Sequence, residues 1–416
     1  MRPGNEALRI ALFTYRGHPH SGGQGVYVRY LSRALVELGH RVEVFSGQPY
    51  PDLDEGISFT PLPSLDLYRP DDPFRRPARH EFRDWIDVLE YGLMCTAAFP
   101  EPLSFSLRAA RVLRTRIHDF DVVHDNQCLG YGLLEVAKRL PTVATVHHPI
   151  SLDRKVDLHK VTTKGKRAAL KRWYGFTRMQ SRVACRLPKL LTVSDSARGD
   201  IVREFKADPR SVAVVHNGVD AELFRPLPRI RRVPGRVITV ASADLPIKGL
   251  AFLIEAVAKL KTERDVELVV VGKGGMSQGP RELAHRYGIG DAVRFEGRVD
   301  SLRLVELYAE AQVAVVPSLY EGFSLPAIEA MSCGVPLVTT TGGALPEVVG
   351  RDGQAGWLVA PGDAGALASA IGAMLDEEAL RERLGRAGRR RTLSRFTWSS
   401  SASQTADLYR EVLASC

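Results

Sequence analysis

A chain of 416 residues exceeds one ordinary domain, so two or three are expected. Its 44% hydrophobic and 25% charged residues, without a low-complexity tract, mark a globular protein and exclude a disordered or fibrous one. The net charge of +9 is local: Arg154 to Lys189 holds twelve Lys/Arg and one acid, Asp157, and leaves the remainder at −2. That distribution, with no aromatic-basic RNA motif or zinc finger, argues against nucleic acid as a partner. No apolar stretch reaches the roughly 20 residues of a membrane span. The first residues lack the long apolar core and small-residue cleavage site of a signal peptide. Five scattered cysteines (Cys95, Cys128, Cys185, Cys333, Cys416) fit neither a disulfide framework nor a zinc site. A cytoplasmic location is therefore expected.

In chain order, LRIALFTY reads as a strand and is followed by a helix over Gly25 to Leu38. RVEVFS, DVVHDN, TVATVHH and LLTVS then read as strands. Residues 66 to 85, with several prolines, read as a loop. After a break at residues 216 to 235, where Asn217-Gly218 marks a turn, the alternation resumes with RVITVAS, ELVVVG, AVRFEG, VAVVPS and PLVTT. Runs apolar on both faces between helix-length segments predict parallel strands buried under helices. The expected fold class is α/β, as two Rossmann-like, doubly wound domains over residues 1–220 and 221–396. Ligands belong at the carboxyl ends of such strands.

The segment PSLYEGFSLPAIEAMSCGVPLVTT, residues 317 to 340, predicts a strand, a tight loop and a helix N-terminus. Free backbone N–H groups at Gly322, Phe323, Ser324 and Leu325, with the positive end of the helix dipole, suit a diphosphate. Glu321 on the loop and Glu329 one turn into the helix suit hydroxyls, since a carboxylate beside phosphate is repelled. Glu329 fits a ribose diol and Glu321 the donor sugar. Gly22 and Gly23, between the first strand and first helix, would let backbone approach a phosphate.

The pattern P-S-x-x-E-G-F-x-L-P-x-x-E-A-M-x-C-G-x-P, with two acids eight positions apart, resembles the retaining glycosyltransferases of family 4, which have the GT-B fold. The resemblance runs from Gly22 to about Trp398. It implies a donor held in a cleft between the domains and a C-terminal helix, 397–416, packing back on the first domain. It also implies that the Gly-Gly loop touches donor phosphate or acceptor, and that a histidine after TVATV, His147 rather than His148, contacts the donor sugar. Lys248 matches a diphosphate-neutralising lysine. The arginine that usually precedes it falls on Ala243, flanked by Ser242 and Asp244, so one cation is missing. Gly272, in Val271-Gly272-Lys273-Gly274-Gly275, and Arg298 with Val299 would border the base.

The activity so implied is transfer of a hexose from a UDP-sugar, or a GDP-sugar, to a hydroxyl of a lipid, glycan or small metabolite, with retention. No Asp-x-Asp metal motif occupies a suitable loop, so no metal and no cofactor are expected. The basic stretch 164–187 carries an apolar stripe (Ala169, Trp173, Phe176, Val183, Leu187) beside Arg167, Lys171, Arg178, Arg182 and Arg186. It predicts a basic helix, either simply solvated or able to meet an anionic membrane at the inner face of the cell. A sugar-nucleotide epimerase of similar fold and a catalytically silent sugar-nucleotide binder are the alternatives. A pyridoxal-dependent phosphorylase or a dehydrogenase would need signatures that are absent.

Overall fold

The computed structural model describes residues 6–17, 23–69, 71–241, 245–272 and 278–415. Two compact units form: residues 1–193, 197–215 and 401–416 make the first, and residues 194–196 with 216–400 the second. Each is built on one parallel sheet.

The first unit holds β1 (Arg9–Thr14), β2 (Arg41–Ser46), β3 (Ser58–Pro61), β4 (Val122–Asn126), β5 (Thr142–Thr145), β6 (Lys189–Thr192) and β7 (Val212–Val214). Their order is β3-β2-β1-β4-β5-β6-β7. The second holds β8 (Arg236–Val240), β9 (Glu267–Val271), β10 (Val293–Gly297), β11 (Val313–Val316), β12 (Leu337–Thr340) and β13 (Trp357–Val359), ordered β10-β9-β8-β11-β12-β13. Every pairing is parallel; β1 lies between β2 and β4, and β8 between β9 and β11. Strand order therefore reverses beside β1 and beside β8, where loops diverge and leave room for a ligand.

The strands are apolar on both faces because helices cover both. Ile10, Leu12, Val143 and Leu190 are fully buried in the first unit, as are Ile238, Leu268, Val313 and Val338 in the second. Each such side chain contributes roughly 1.5–3 kcal/mol of burial free energy. The final helix, Trp398–Ala414, buries Ala402, Ala406, Tyr409 and Val412. From Ser401 its residues belong to the first unit.

The basic stretch is not one helix. It divides into Lys164–Trp173 and Phe176–Ala184, broken at Tyr174-Gly175. Trp173 and Phe176 both pack on Phe99, with ring centres 5.1 and 5.2 Å away, and Tyr174 donates to Asp157 at 2.7 Å. The first helix buries no residue, whereas the second buries Met179, Val183 and Ala184. The solvated basic surface is thus carried chiefly by the first. Among the described residues no helix is long and apolar enough to cross a membrane.

Candidate active site

In the second unit the loops after β8 and β11 converge because these strands are neighbours. Lys248 ends a short 3₁₀ turn, Pro246–Lys248, and Glu321 follows β11. Lys248 Nζ donates to Glu321 Oε1 at 2.8 Å and Oε2 at 3.0 Å, and Ser318 Oγ donates to Oε1 at 2.7 Å. Their side chains are 30% and 11% exposed, so the pair is accessible without being loose. Gly249 makes this possible. Its φ is +69°, and any Cβ there would collide with the Pro317 carbonyl oxygen.

After Glu321 the chain turns sharply at Ser324 (φ 95°, ψ 88°) into the helix Leu325–Ser332. A left-handed serine costs of order 1–3 kcal/mol of strain and commonly marks a functional site. Its Oγ is buried and, among the described residues, has no hydrogen-bond partner. Among the described residues no protein group accepts from the N–H of Phe323, Ser324 or Leu325. Phe323 is buried, at 4% exposure, and its ring packs on Phe396 and His216.

Glu329 lies one turn on, beside Tyr308, whose hydroxyl donates to the Pro326 carbonyl at 3.2 Å. Burial pushes the Glu329 carboxyl up to about 7, and the Tyr308 hydrogen bond opposes that rise. Gly272 (φ 140°) donates its N–H to the Gly297 carbonyl at 2.8 Å. Arg298, exposed, and Val299 follow the edge strand β10, and no described contact joins them to the Lys248–Glu321 pair. Ser242, Ala243, Asp244, Lys273, Gly274 and Gly275 lie outside the described residues.

In the first unit Gly22 also lies outside them. Gly23, with φ 72°, caps the helix Gln24–Glu37. His147 follows β5, and its backbone N–H donates to Gln127 Oε1 at 2.7 Å. Its Nε2 lies 2.7 Å from Asn126 Oδ1. The Asn126 amide is oriented by donation from Nδ2 to the Gln24 carbonyl at 3.3 Å, so Oδ1 accepts from Nε2–H. Burial lowers the ring to about 4. His147 is therefore neutral near pH 7, with Nδ1 left as an acceptor. Tyr27 packs edge-on at 4.7 Å between centroids, and its hydroxyl reaches Thr145 at 3.0 Å. Thr145 meets the buried His124, which in turn meets Tyr409 of the final helix at 2.6 Å. His148 instead pairs with Asp153 at 3.1 Å.

Sequence reasoning overlooked four supports. Asn126 and Gln127 end β4 as two amides at a carboxyl edge, a signal available in DVVHDNQ. Gly342 and Gly343 form a glycine pair one residue after β12, the feature already noted at Gly22-Gly23. Their close approach lets Ala344 N–H donate to the Glu321 carbonyl at 2.9 Å. A Cβ on Gly343 would collide with that same carbonyl.

Comparison with known proteins gives the family of both units. Residues 21–223 match the model for Glycosyltransferase Family 4, and residues 230–391 that for glycosyl transferases group 1. The chain is 52% identical to the MMP alpha-(1->4)-mannosyltransferase of Mycolicibacterium hassiacum, over 98% of this chain and 99% of the relative. It is 30% identical to a glycogen synthase of Mycobacterium tuberculosis, over 97% and 94%. Among solved structures, sucrose-phosphate synthase from Thermosynechococcus elongatus superposes with a TM-score of 0.74 at 23% identity, covering 98% and 100%. Anabaena HepE in complex with UDP and glucose gives 0.70 at 19%, covering 96% and 99%. With two parallel-sheet units of the GT-B type and both halves matched, the chain belongs to the family 4 glycosyltransferases.

Proposed function

We propose that the protein is a retaining mannosyltransferase that moves an α-mannosyl unit from a nucleotide diphosphate donor, UDP- or GDP-linked, to the 4-hydroxyl of an acceptor sugar. Family membership supports the transfer, and likeness to the mannosyltransferase supports the sugar and linkage. One observation carries the chemistry: the Lys248–Glu321 pair stands beside a strained helix start whose N–H groups and Ser324 Oγ lack protein partners.

The donor diphosphate meets the N–H groups at Phe323 to Leu325, where helix dipole and unpaired donors stabilise developing negative charge. Lys248 exchanges one carboxylate contact for a phosphate oxygen and gives the cation that the leaving group needs. Glu321, freed in part, accepts from the sugar hydroxyls. Glu329 accepts from the ribose. His147, neutral, accepts a sugar hydroxyl at Nδ1 while Asn126 and Gln127 fix the ring and its backbone. No step calls on a divalent ion. The helix Lys164–Trp173 presents Lys164, Lys166, Arg167, Lys171 and Arg172 to solvent and would hold the enzyme at an anionic membrane.

The test is incubation with GDP-mannose and UDP-mannose, short mannose oligosaccharides and excess EDTA, with anomeric analysis of the product by NMR. An α-linked extension in EDTA is the expected outcome. A β-linked product overturns retention, and loss of transfer in EDTA overturns metal independence. Co-sedimentation with anionic and neutral vesicles tests the surface role, and equal binding to both removes it.

A further inference from the structure

A cavity of the second unit lies away from Lys248 and Glu321, at the opposite end of the helix Leu325–Ser332. It encloses about 680 Å³, a size typical of small-molecule sites. Its walls are the end of that helix at Cys333-Gly334, Pro336 at the entry to β12, and the helix Glu378–Arg395. The wall is tightly made: a Cβ on Gly385 would collide with the Gly334 carbonyl.

Five arginines line it: Arg232, Arg381, Arg386, Arg389 and Arg390. Three are held by carbonyl oxygens rather than carboxylates. Arg232 donates to Ala311 and Gly334, Arg381 to Met374 and Leu375, and Arg389 to Ser332. These bonds fix the guanidinium planes without neutralising them. Burial, reinforced by Arg381, holds Arg232 below its ordinary pKa, as befits an uncompensated cation. Arg386 pairs with Glu382 at 2.9 Å at the exposed rim, and Arg390 has no described partner. Counting Glu378 and Glu382, the lining carries a net charge of +3.

Fixed guanidinium forks match phosphate oxygens geometrically. The cavity is much larger than a phosphate ion, and Gln312 and Glu378 offer polar groups to a hydroxylated body. From the five arginines, the carbonyl-only anchoring of Arg232, Arg381 and Arg389, and the cavity's size, we infer that this is a second ligand site, distinct from the donor site, for a small phosphorylated sugar. Its phosphate sits among the guanidiniums and its hydroxyls face Gln312 and Glu378.

The experiment is calorimetric titration of the full chain with mannose 6-phosphate, inorganic phosphate and mannose. Wild type, R386A/R390A and Lys248→Ala are compared. The double variant removes only exposed side chains and leaves the carbonyl-bound arginines, so its fold is retained. Mannose 6-phosphate is expected to bind wild type at least tenfold more tightly than mannose. That affinity should fall at least tenfold in R386A/R390A and stay within twofold in Lys248→Ala. Any other pattern overturns the inference: absent binding, equal binding of mannose, or loss on Lys248→Ala with R386A/R390A unchanged, which would place the ester at the donor site. Arginine-dependent binding to phosphatidylglycerol vesicles without binding of the free ester also overturns it.

Discussion

Burial raises the Glu329 carboxyl to about 7, so the group is half protonated near neutral pH. In the proposed role at the ribose diol, the ionised form is the one that accepts from both hydroxyls. Its folded-state pKa lies above the ordinary value, and deprotonation, hence nucleotide affinity, rises as pH climbs through 7. Between pH 6 and 8 nucleotide affinity is expected to increase about tenfold, the change in ionised fraction across a pKa of 7. A flat profile in Glu329→Gln measured by calorimetry identifies the group, whereas an unaltered slope in that variant assigns the titration elsewhere. Ser324 makes a second test. Ser324→Gly removes the left-handed strain and should stabilise the protein by about 1 kcal/mol in urea unfolding, while lowering transfer activity through loss of Oγ. A variant both more stable and equally active would leave Oγ without a role. Glu321 and Glu329 stand in a spaced motif, whereas Lys248 was marked only by the family resemblance. The supports at Asn126 and Gln127 were less legible, because an amide's role depends on what stands opposite it in space.

The turn between β8 and the helix Leu250–Lys261 sets where Lys248 stands. Gly249→Ala must distort either its own backbone or the Pro317 carbonyl, and about 2–4 kcal/mol of stability should be lost. Thermal unfolding measures the cost, and an unchanged midpoint would mean the turn relaxes freely. The strand pattern explains what the sequence conceals at this scale. Strands with neighbours on both sides were readable from their apolar runs. Three strands were missed, β3, β7 and β13, and each lies at the edge of its sheet. They are three or four residues long and partly exposed, so they lack the apolar continuity that betrays a central strand. The division of the basic stretch escaped for a related reason: Trp173 and Phe176 keep helical spacing on either side of the break.

At the scale of the molecule, a line of buried polar groups runs through the first unit from the final helix to the neighbourhood of His147. Tyr409 bonds His124, His124 bonds Thr145, Thr145 bonds Tyr27, and Tyr27 packs on the His147 ring. Burial lowers His124 to about 3, so it stays neutral and depends on Tyr409 for its Nδ1 partner. Tyr409→Phe leaves that nitrogen unsatisfied and should cost about 1–3 kcal/mol in urea unfolding. A cost below a few tenths would mean that His124 finds another partner.

The shared final helix bears on how the polypeptide matures as it is synthesised. Residues 1–193 and 197–215 emerge first, yet their unit is completed only by residues 401–416, made after all of the second sheet. Until then the pockets for Ala402, Ala406 and Val412 stand open and His124 lacks its tyrosine. The second unit, contiguous apart from residues 194–196, can close earlier on the ribosome. The order of translation and the order of completion are therefore inverted, and a gene fragment ending near residue 215 encodes every strand of the first sheet but not a finished domain.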